Sequence, residues 1–151
     1  FLLAYLHATV LERARYTPVG WTKRYEFSDA DQACAVTAID AWVDAAAGQG
    51  SNVSPEKIPW EAIRTLLKQS IYGGRIDSEF DFQVLESIVD SLFVPESFGV
   101  TFTLNVPPPG GEGLACPDGR KYGEFVEWVA TLPSKGSPAW VGLPPDAESM
   151  L

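Results

Sequence analysis

The chain's 151 residues suit one ordinary domain, with a core able to cover roughly 70% of the surface that the unfolded chain exposes. Twenty acids against 11 Lys and Arg give a net charge of −9, and the basic pairs Lys23-Arg24 and Arg120-Lys121 are too short to neutralise a nucleic-acid backbone, which excludes that class of partner. Two distant cysteines, Cys34 and Cys116, and a single histidine, His7, exclude a disulfide framework, a CxxC site and a multi-histidine metal centre; no run of about eighteen apolar residues predicts a membrane-spanning helix.

The chain opens on Phe1-Leu2-Leu3 with neither an initiator Met nor an N-cap residue, and FLLAYLHATVLER lacks the basic leader and cleavage site of a signal peptide. It reads as a piece of a longer, intracellular chain with both thiols free. Leu3, Leu6, Val10 and Leu11 follow helical spacing, and Glu12, Arg13 and Arg15 form a polar turn before Pro18 and Gly20 end this first helix. Ser28 caps a second helix, with Asp29 and Asp31 near its positive end and Ala33, Val36, Ile39 and Val43 on one face, stopped by Gly48 and Gly50.

Pro55 and Pro59 stand early in helix starts, and Trp60, Ile63, Leu66, Leu67 and Ile71 form the core stripe of a third helix that ends near Tyr72. Asp77 or Ser78 caps a fourth, whose Phe80, Val84, Leu85, Ile88, Val89 and Leu92 make the most regular apolar pattern in the chain. From Val100 the period becomes two: Val100, Phe102, Leu104 and Val106 alternate with polar residues, PPPGGEG breaks the run, and Leu114 to Cys116 forms a return strand. A fifth helix buries Tyr122, Phe125, Val126, Val129 and Leu132, and the proline-punctuated tail is extended until a new helix begins at Asp146. The expectation is a mainly α class: one helical bundle of about five helices over 1–151, with a small β-hairpin insertion at 100–118 and an extended segment at 133–151.

The segment QSIYGGRIDSEFD invites a catalytic reading. A phosphate loop, however, needs a strand before its glycines, and here they follow a helix. The simpler reading puts Gly73 in the left-handed position that ends helix three and lets Gly74 turn the chain into helix four. Asp77, Glu79 and Asp81 match helix-start charges better than paired catalytic carboxylates or an EF-hand pattern. Arg75 pairs with one of these acids or reaches across to another segment. His7 is expected as a satisfied, partly buried imidazole, and Asn52-Val53-Ser54 is discounted as a glycosylation acceptor because Pro55 follows. Of the tryptophans, Trp60 and Trp128 fall in apolar stripes, whereas Trp21 and Trp140 lie in extended segments, where aromatics anchor one unit against another.

FLLAYLHATVLERARYTPVGWTKRYEF, PWEAIRTLLKQSIYGGRIDSEFD and SPAWVGLPPDAESML together resemble, in this order and spacing, a stretch of the dynein heavy chain family, with RYTPVGWTKRYEF and SIYGGRID closer to the cytoplasmic than the axonemal type. The resemblance spans nearly the whole chain and implies the helical lid of the sixth AAA+ module, just before a C-terminal domain. It further implies a parent that is an ATP-driven, minus-end-directed microtubule motor, with ATP and Mg in earlier modules and no catalytic, cofactor or metal residue in this segment. The residues left for structural or interface roles are Tyr72, Gly73, Gly74, Arg75, Asp77, Trp21 and Trp140.

The implied partners are other AAA+ subdomains of the same heavy chain, its own large subdomain and the C-terminal domain among them. Dynein subunits and microtubules follow through the parent, with a cytoplasmic, cytoskeleton-associated location and no nucleic acid. Phe82-Gln83 stand where family members commonly carry a basic residue, and the loop from Asn105 to Gly123 matches poorly. Two other readings stay open: a nucleotide-sensing lid that contacts ATP through Arg75, and a free-standing acidic adaptor that docks a partner helix.

Overall fold

A computed structural model describes residues 1–48, 52–107, 109, 113–119 and 121–151. Gly50, the Gly110-Gly111 pair of the expected loop and Arg120 of the second basic pair lie outside the described residues.

Helix α1 (Leu2–Arg15) buries Leu3, Leu6, His7, Val10 and Arg13, the stripe that 3.6-residue periodicity projects onto one face. Leu11, one position past that stripe, turns outward. After Tyr16 the chain folds back tightly, the Val19 and Gly20 amides donating to the Tyr16 carbonyl at 2.6 and 2.7 Å. Helix α2 (Asp29–Ala47) starts at Ser28, whose amide donates to Asp31 Oδ2 at 2.8 Å, and ends at Gly48 with φ of 63°. Its core face differs from the expected one. Asp31 and Ala35 are buried and Ile39 and Trp42 pack behind them, while Val36 is 42% exposed.

Helix α3 (Trp60–Thr65) runs straight into a π-helical turn, Leu66–Ile71, and this pair buries Ile63, Leu67 and Ile71 as the spacing predicts. Among the described residues only Gly48 and Gly142 have positive φ, so Gly73 is not in the left-handed conformation. Instead the widened turn sets the Lys68 carbonyl against Gly73, where an added Cβ would lie 1.4 Å from that oxygen; Gly74 would meet nothing within 4 Å. Gly73 is required by a close backbone approach rather than by a dihedral angle, and Gly73–Arg75 forms a 3₁₀ turn into α4 (Glu79–Leu92).

Ser78 is the N-cap of α4, and Asp81, Leu85, Val89 and Leu92 make its buried stripe. Phe80, expected in the core, is 67% exposed, because the stripe is set by Asp81 and its i+4 partner Leu85 rather than by the residue before it. Helices α1, α3 with its π turn, and α4 enclose the main core together with Trp21, Tyr25 and Tyr72.

The expected hairpin does not form. Among the described residues there is no strand, only a single antiparallel bridge between Thr103 and Ala115. Two backbone bonds flank it, Leu104 N–H to Leu114 O at 2.8 Å and Cys116 N–H to Phe102 O at 3.3 Å, and the next rung is usurped when Asn105 Oδ1 takes the Leu114 amide at 2.6 Å. Phe102 and Leu104 on one side of the bridge and Leu114 and Cys116 on the other reach the core, while Val100 and Val106 are exposed. Helix α5 (Tyr122–Thr131) likewise departs from its expected face. It has no buried residue: Phe125 and Trp128 rest half-buried against Phe1, while Tyr122, Val126 and Val129 are exposed. The tail carries two 3₁₀ turns, Pro138–Val141 and Ala147–Met150, and Val141, Leu143 and Ala147 pack on Tyr16 as a second small core.

Candidate functional site

Four of the singled-out residues meet at the corner between α3 and α4. Tyr72 is fully buried, its hydroxyl 3.0 Å from His7 Nδ1, and burial, with the Asp31 charge adding to it, raises its pKa above the ordinary phenol value. His7 Nε2 has no hydrogen-bond partner, and the exposed Asp29 carboxylate stands 3.7 Å away. Arg75 does not pair with its neighbouring acids. It crosses to α2, where Nη2 and Nε donate to Asp31 Oδ1 at 2.7 and 3.2 Å. Burial opposes ionisation of Asp31, but the Arg75 guanidinium and the Ser28 amide and hydroxyl outweigh it and hold the carboxyl below its usual range.

Asp77 belongs to the other side of the corner. Lys23 Nζ donates to its Oδ2 at 2.5 Å, and that hydrogen bond lowers the Asp77 pKa. Asp81 does more than favour a helix start. Fully buried, it accepts from the Thr22 amide at 3.1 Å, the Thr22 hydroxyl at 2.6 Å and the Tyr25 hydroxyl at 2.7 Å, clamping the 22–25 segment to α4. Burial, reinforced by the bond to Asp81, pushes the Tyr25 hydroxyl up to about 12. Phe82 packs its ring toward Gly73 and leaves no charge at that position.

The two tryptophans part company. Trp21 is not an exposed anchor; it is fully buried in the main core, donating from Nε1 to the Val10 carbonyl at 3.0 Å. Trp140 is half-buried in the first 3₁₀ turn of the tail, and its carbonyl accepts from the Tyr5 hydroxyl.

A second site lies where the sequence pattern reads only a polar turn at the end of α1. Arg13 is 5% exposed, stacked over the Trp21 ring at 5.0 Å, with Nε donating to Gly20 O at 3.1 Å and Nη1 to Val141 O at 2.6 Å and Gly142 O at 3.4 Å. Asn105 Nδ2 donates to Ala139 O at 3.1 Å and Tyr5 to Trp140 O, so four consecutive carbonyls, 139 to 142, are each held by a side chain. Burial lowers the Arg13 pKa to about 10, with the Asp81 charge opposing the shift; at neutral pH the guanidinium stays charged. One signal was available: Arg13 lies three residues after Val10 on the stripe of Leu3 and Leu6. A cation at a core position implies neutral acceptors or an acid waiting for it.

Among the described residues no group of three His, Cys, Asp or Glu is placed to hold a metal ion, and no helix is long and apolar enough to cross a membrane. The side chains of both clamps bond to one another and to backbone. Their geometry ties helices together.

In comparison with known proteins, the family model for the dynein heavy chain AAA lid domain matches residues 1–147. The chain belongs to the dynein heavy chain AAA lid family. Over 151 residues it is 49% identical to the cytoplasmic dynein heavy chain of Dictyostelium discoideum, covering 100% of this chain and 3% of that protein. With the cytoplasmic dynein heavy chain of Paramecium tetraurelia it shares 47% identity over 148 residues, 98% of this chain and 3% of the relative. The Drosophila melanogaster cytoplasmic dynein heavy chain is 44% identical over 155 residues, again 100% of this chain and 3% of the relative. This lid therefore spans about 3% of the length of the curated relatives it matches.

Proposed function

We propose that this lid is a non-catalytic mechanical element of a cytoplasmic dynein heavy chain, in its sixth AAA+ module. It packs against the large subdomain of its own module and the C-terminal domain and passes motion around an ATP-driven ring that walks on microtubules in the cytoplasm. ATP and Mg act in earlier modules. The observation that carries this reading is the Arg13 clamp: one buried guanidinium joins α1, the 16–21 turn and the 138–142 segment through backbone carbonyls. Bonds to backbone hold position whatever the neighbouring side chains are, so displacement of α1 is passed to the tail instead of being absorbed between them.

In a heavy chain carrying this segment, Arg13→Met is expected to slow microtubule gliding about fivefold, the scale of an ordinary coupling free energy, while basal ATP hydrolysis is retained. Gliding at the unaltered rate would overturn the proposal. The nucleotide-sensing alternative predicts saturable heat on calorimetric titration of the chain with Mg-ATP, abolished by Arg75→Ala. The engagement of Arg75 by Asp31 favours the mechanical reading, which expects no such heat.

A further inference from the structure

Three Ser/Thr-Pro dipeptides occur in the chain, Thr17-Pro18, Ser54-Pro55 and Ser137-Pro138, and their surroundings separate them. The Thr17 hydroxyl donates to the Ala14 carbonyl at 2.9 Å, just past the end of α1. Ser137 Oγ accepts from the Ala139 amide at 3.3 Å, and Pro138 beside it is buried. Both hydroxyls serve the fold. Ser54 does not: it is exposed at the entrance of a 3₁₀ turn, Pro55–Lys57, yet makes no capping bond, and its hydroxyl donates instead to the exposed Glu56 carboxylate.

The residues after Ser54 also carry chemistry that the fold leaves idle. Lys57, three positions past the serine, is exposed and has no ion-pair partner among the described residues, whereas the other two dipeptides have Gly20 and Trp140 at that position. Ser54 has φ of −65° and ψ of 139°, an extended backbone, and the turn that follows is closed by the Lys57 amide donating to the Ser54 carbonyl at 2.9 Å. A single 3₁₀ turn has poor hydrogen-bond geometry and opens at small cost, so the segment can lie extended in the cleft of another protein. Trp60 Nε1 holds the Pro55 carbonyl at 2.7 Å and engages neither the serine nor the lysine side chain.

We propose that Ser54 is a phosphorylation site for a proline-directed protein kinase whose cleft also reads a cation three residues beyond the serine. A subsite with an apolar wall and no acceptor for an N–H penalises every residue but proline after the serine, and an acidic subsite takes the Lys57 ammonium. Ser54 Oγ attacks the γ-phosphorus of Mg-ATP. The Oγ–P bond forms as the bond from phosphorus to the bridging oxygen breaks; ADP leaves with that electron pair, and the hydroxyl proton passes to the kinase's carboxylate base. The product adds about 1.5–2 negative charges and turns a donor into acceptors, so Glu56 loses its bond and faces like charge. The 55–57 turn packs against Pro95–Phe98, and Trp60 lies edge-on to Phe98 at 6.2 Å, which puts the new charge at the joint between the start of α3 and the segment that follows α4. This inference goes beyond the mechanical reading and does not depend on it, because its readout is a covalent bond rather than motion.

The test incubates a heavy chain carrying this segment with a cyclin-dependent serine kinase and Mg-ATP, and peptide mass spectrometry follows phosphate at Ser54, Thr17 and Ser137. Ser54 is expected to be modified and the other two left unmodified. In heavy chains that retain basal ATP hydrolysis, Lys57→Ala should slow the reaction at Ser54 about fivefold, the worth of an exposed ion pair, and Pro55→Ala about tenfold or more, because the restored N–H finds no acceptor. No phosphate at Ser54, modification of Thr17 or Ser137 as fast as that of Ser54, or wild-type rates in Lys57→Ala or Pro55→Ala overturns the inference.

Discussion

Two arginines organise this molecule, and their environments are opposite. Arg75 stands in the most conspicuous stretch of the chain and makes a half-exposed ion pair, its side chain 49% accessible, with Asp31. Arg13 sits in an ordinary-looking helical turn, yet it is buried, stacked on Trp21 and bonded to three carbonyls on two other segments. Salt and competing water weaken an exposed pair, whereas a buried cation must keep every partner or bear the full cost of its desolvation. The conspicuous arginine adjusts a corner; the inconspicuous one joins the first helix to the tail.

The largest effect should follow from breaking the buried member. Arg13→Met is expected to cost about 3 kcal/mol in urea unfolding, because the Gly20 and Val141 carbonyls lose charged donors. It should also raise amide hydrogen exchange at Gly142 and Leu143, whose N–H groups close the 138–142 turn. A loss below about 1 kcal/mol would show that the clamp is ornamental.

The glycine corner offers a sharper contrast within two adjacent residues. Gly73→Ala should cost about 2 kcal/mol, since its Cβ meets the Lys68 backbone, which has little room to yield. Gly74→Ala should change stability by less than about 0.5 kcal/mol, having open space and no positive φ. Equal losses at the two positions would mean that the π turn does not set the corner.

The exposed arginine comes third. Arg75→Ala is expected to cost no more than about 1 kcal/mol at moderate salt, because water already screens the guanidinium. Smallest is a pH effect. Asp31 has its folded pKa depressed, so the stability it contributes is present above its unfolded value of about 3.9 and is lost as pH falls through the folded value. Stability curves of the wild type and Asp31→Asn should therefore converge as pH falls below about 4. Curves that stay parallel would show that Asp31 is not held ionised by Arg75 and Ser28.

Periodicity was a good guide where one face of a helix settles everything. Ile63, Leu67 and Ile71, or Leu85, Val89 and Leu92, are buried as their spacing requires. It misled where a helix has apolar residues on more than one side. In α2 the residues covered are Asp31 and Ala35 beside the expected Ile39, and in α5 none is buried, only Phe125 of the expected stripe and Trp128 resting half-covered against Phe1. The hairpin failed for a local reason invisible to an alternation count: Asn105 spends its carboxamide on the Leu114 amide and the Ala139 carbonyl and replaces a rung of ladder.

The corner residues were legible as a group, but their roles were not. Gly73 needed the π turn before its lack of a side chain had a cause, and Trp21 needed the fold-back at Tyr16 before it could be seen as core.

By itself the sequence determined the helical class, the order of the helices and the family, because apolar spacing, caps and long matching strings are properties of neighbouring residues. Only the tertiary structure decided which face of each helix is covered, that Arg13 is buried and that Arg75 answers Asp31. Those outcomes depend on segments that are 44 to 129 positions apart in the chain and meet only once the core has closed.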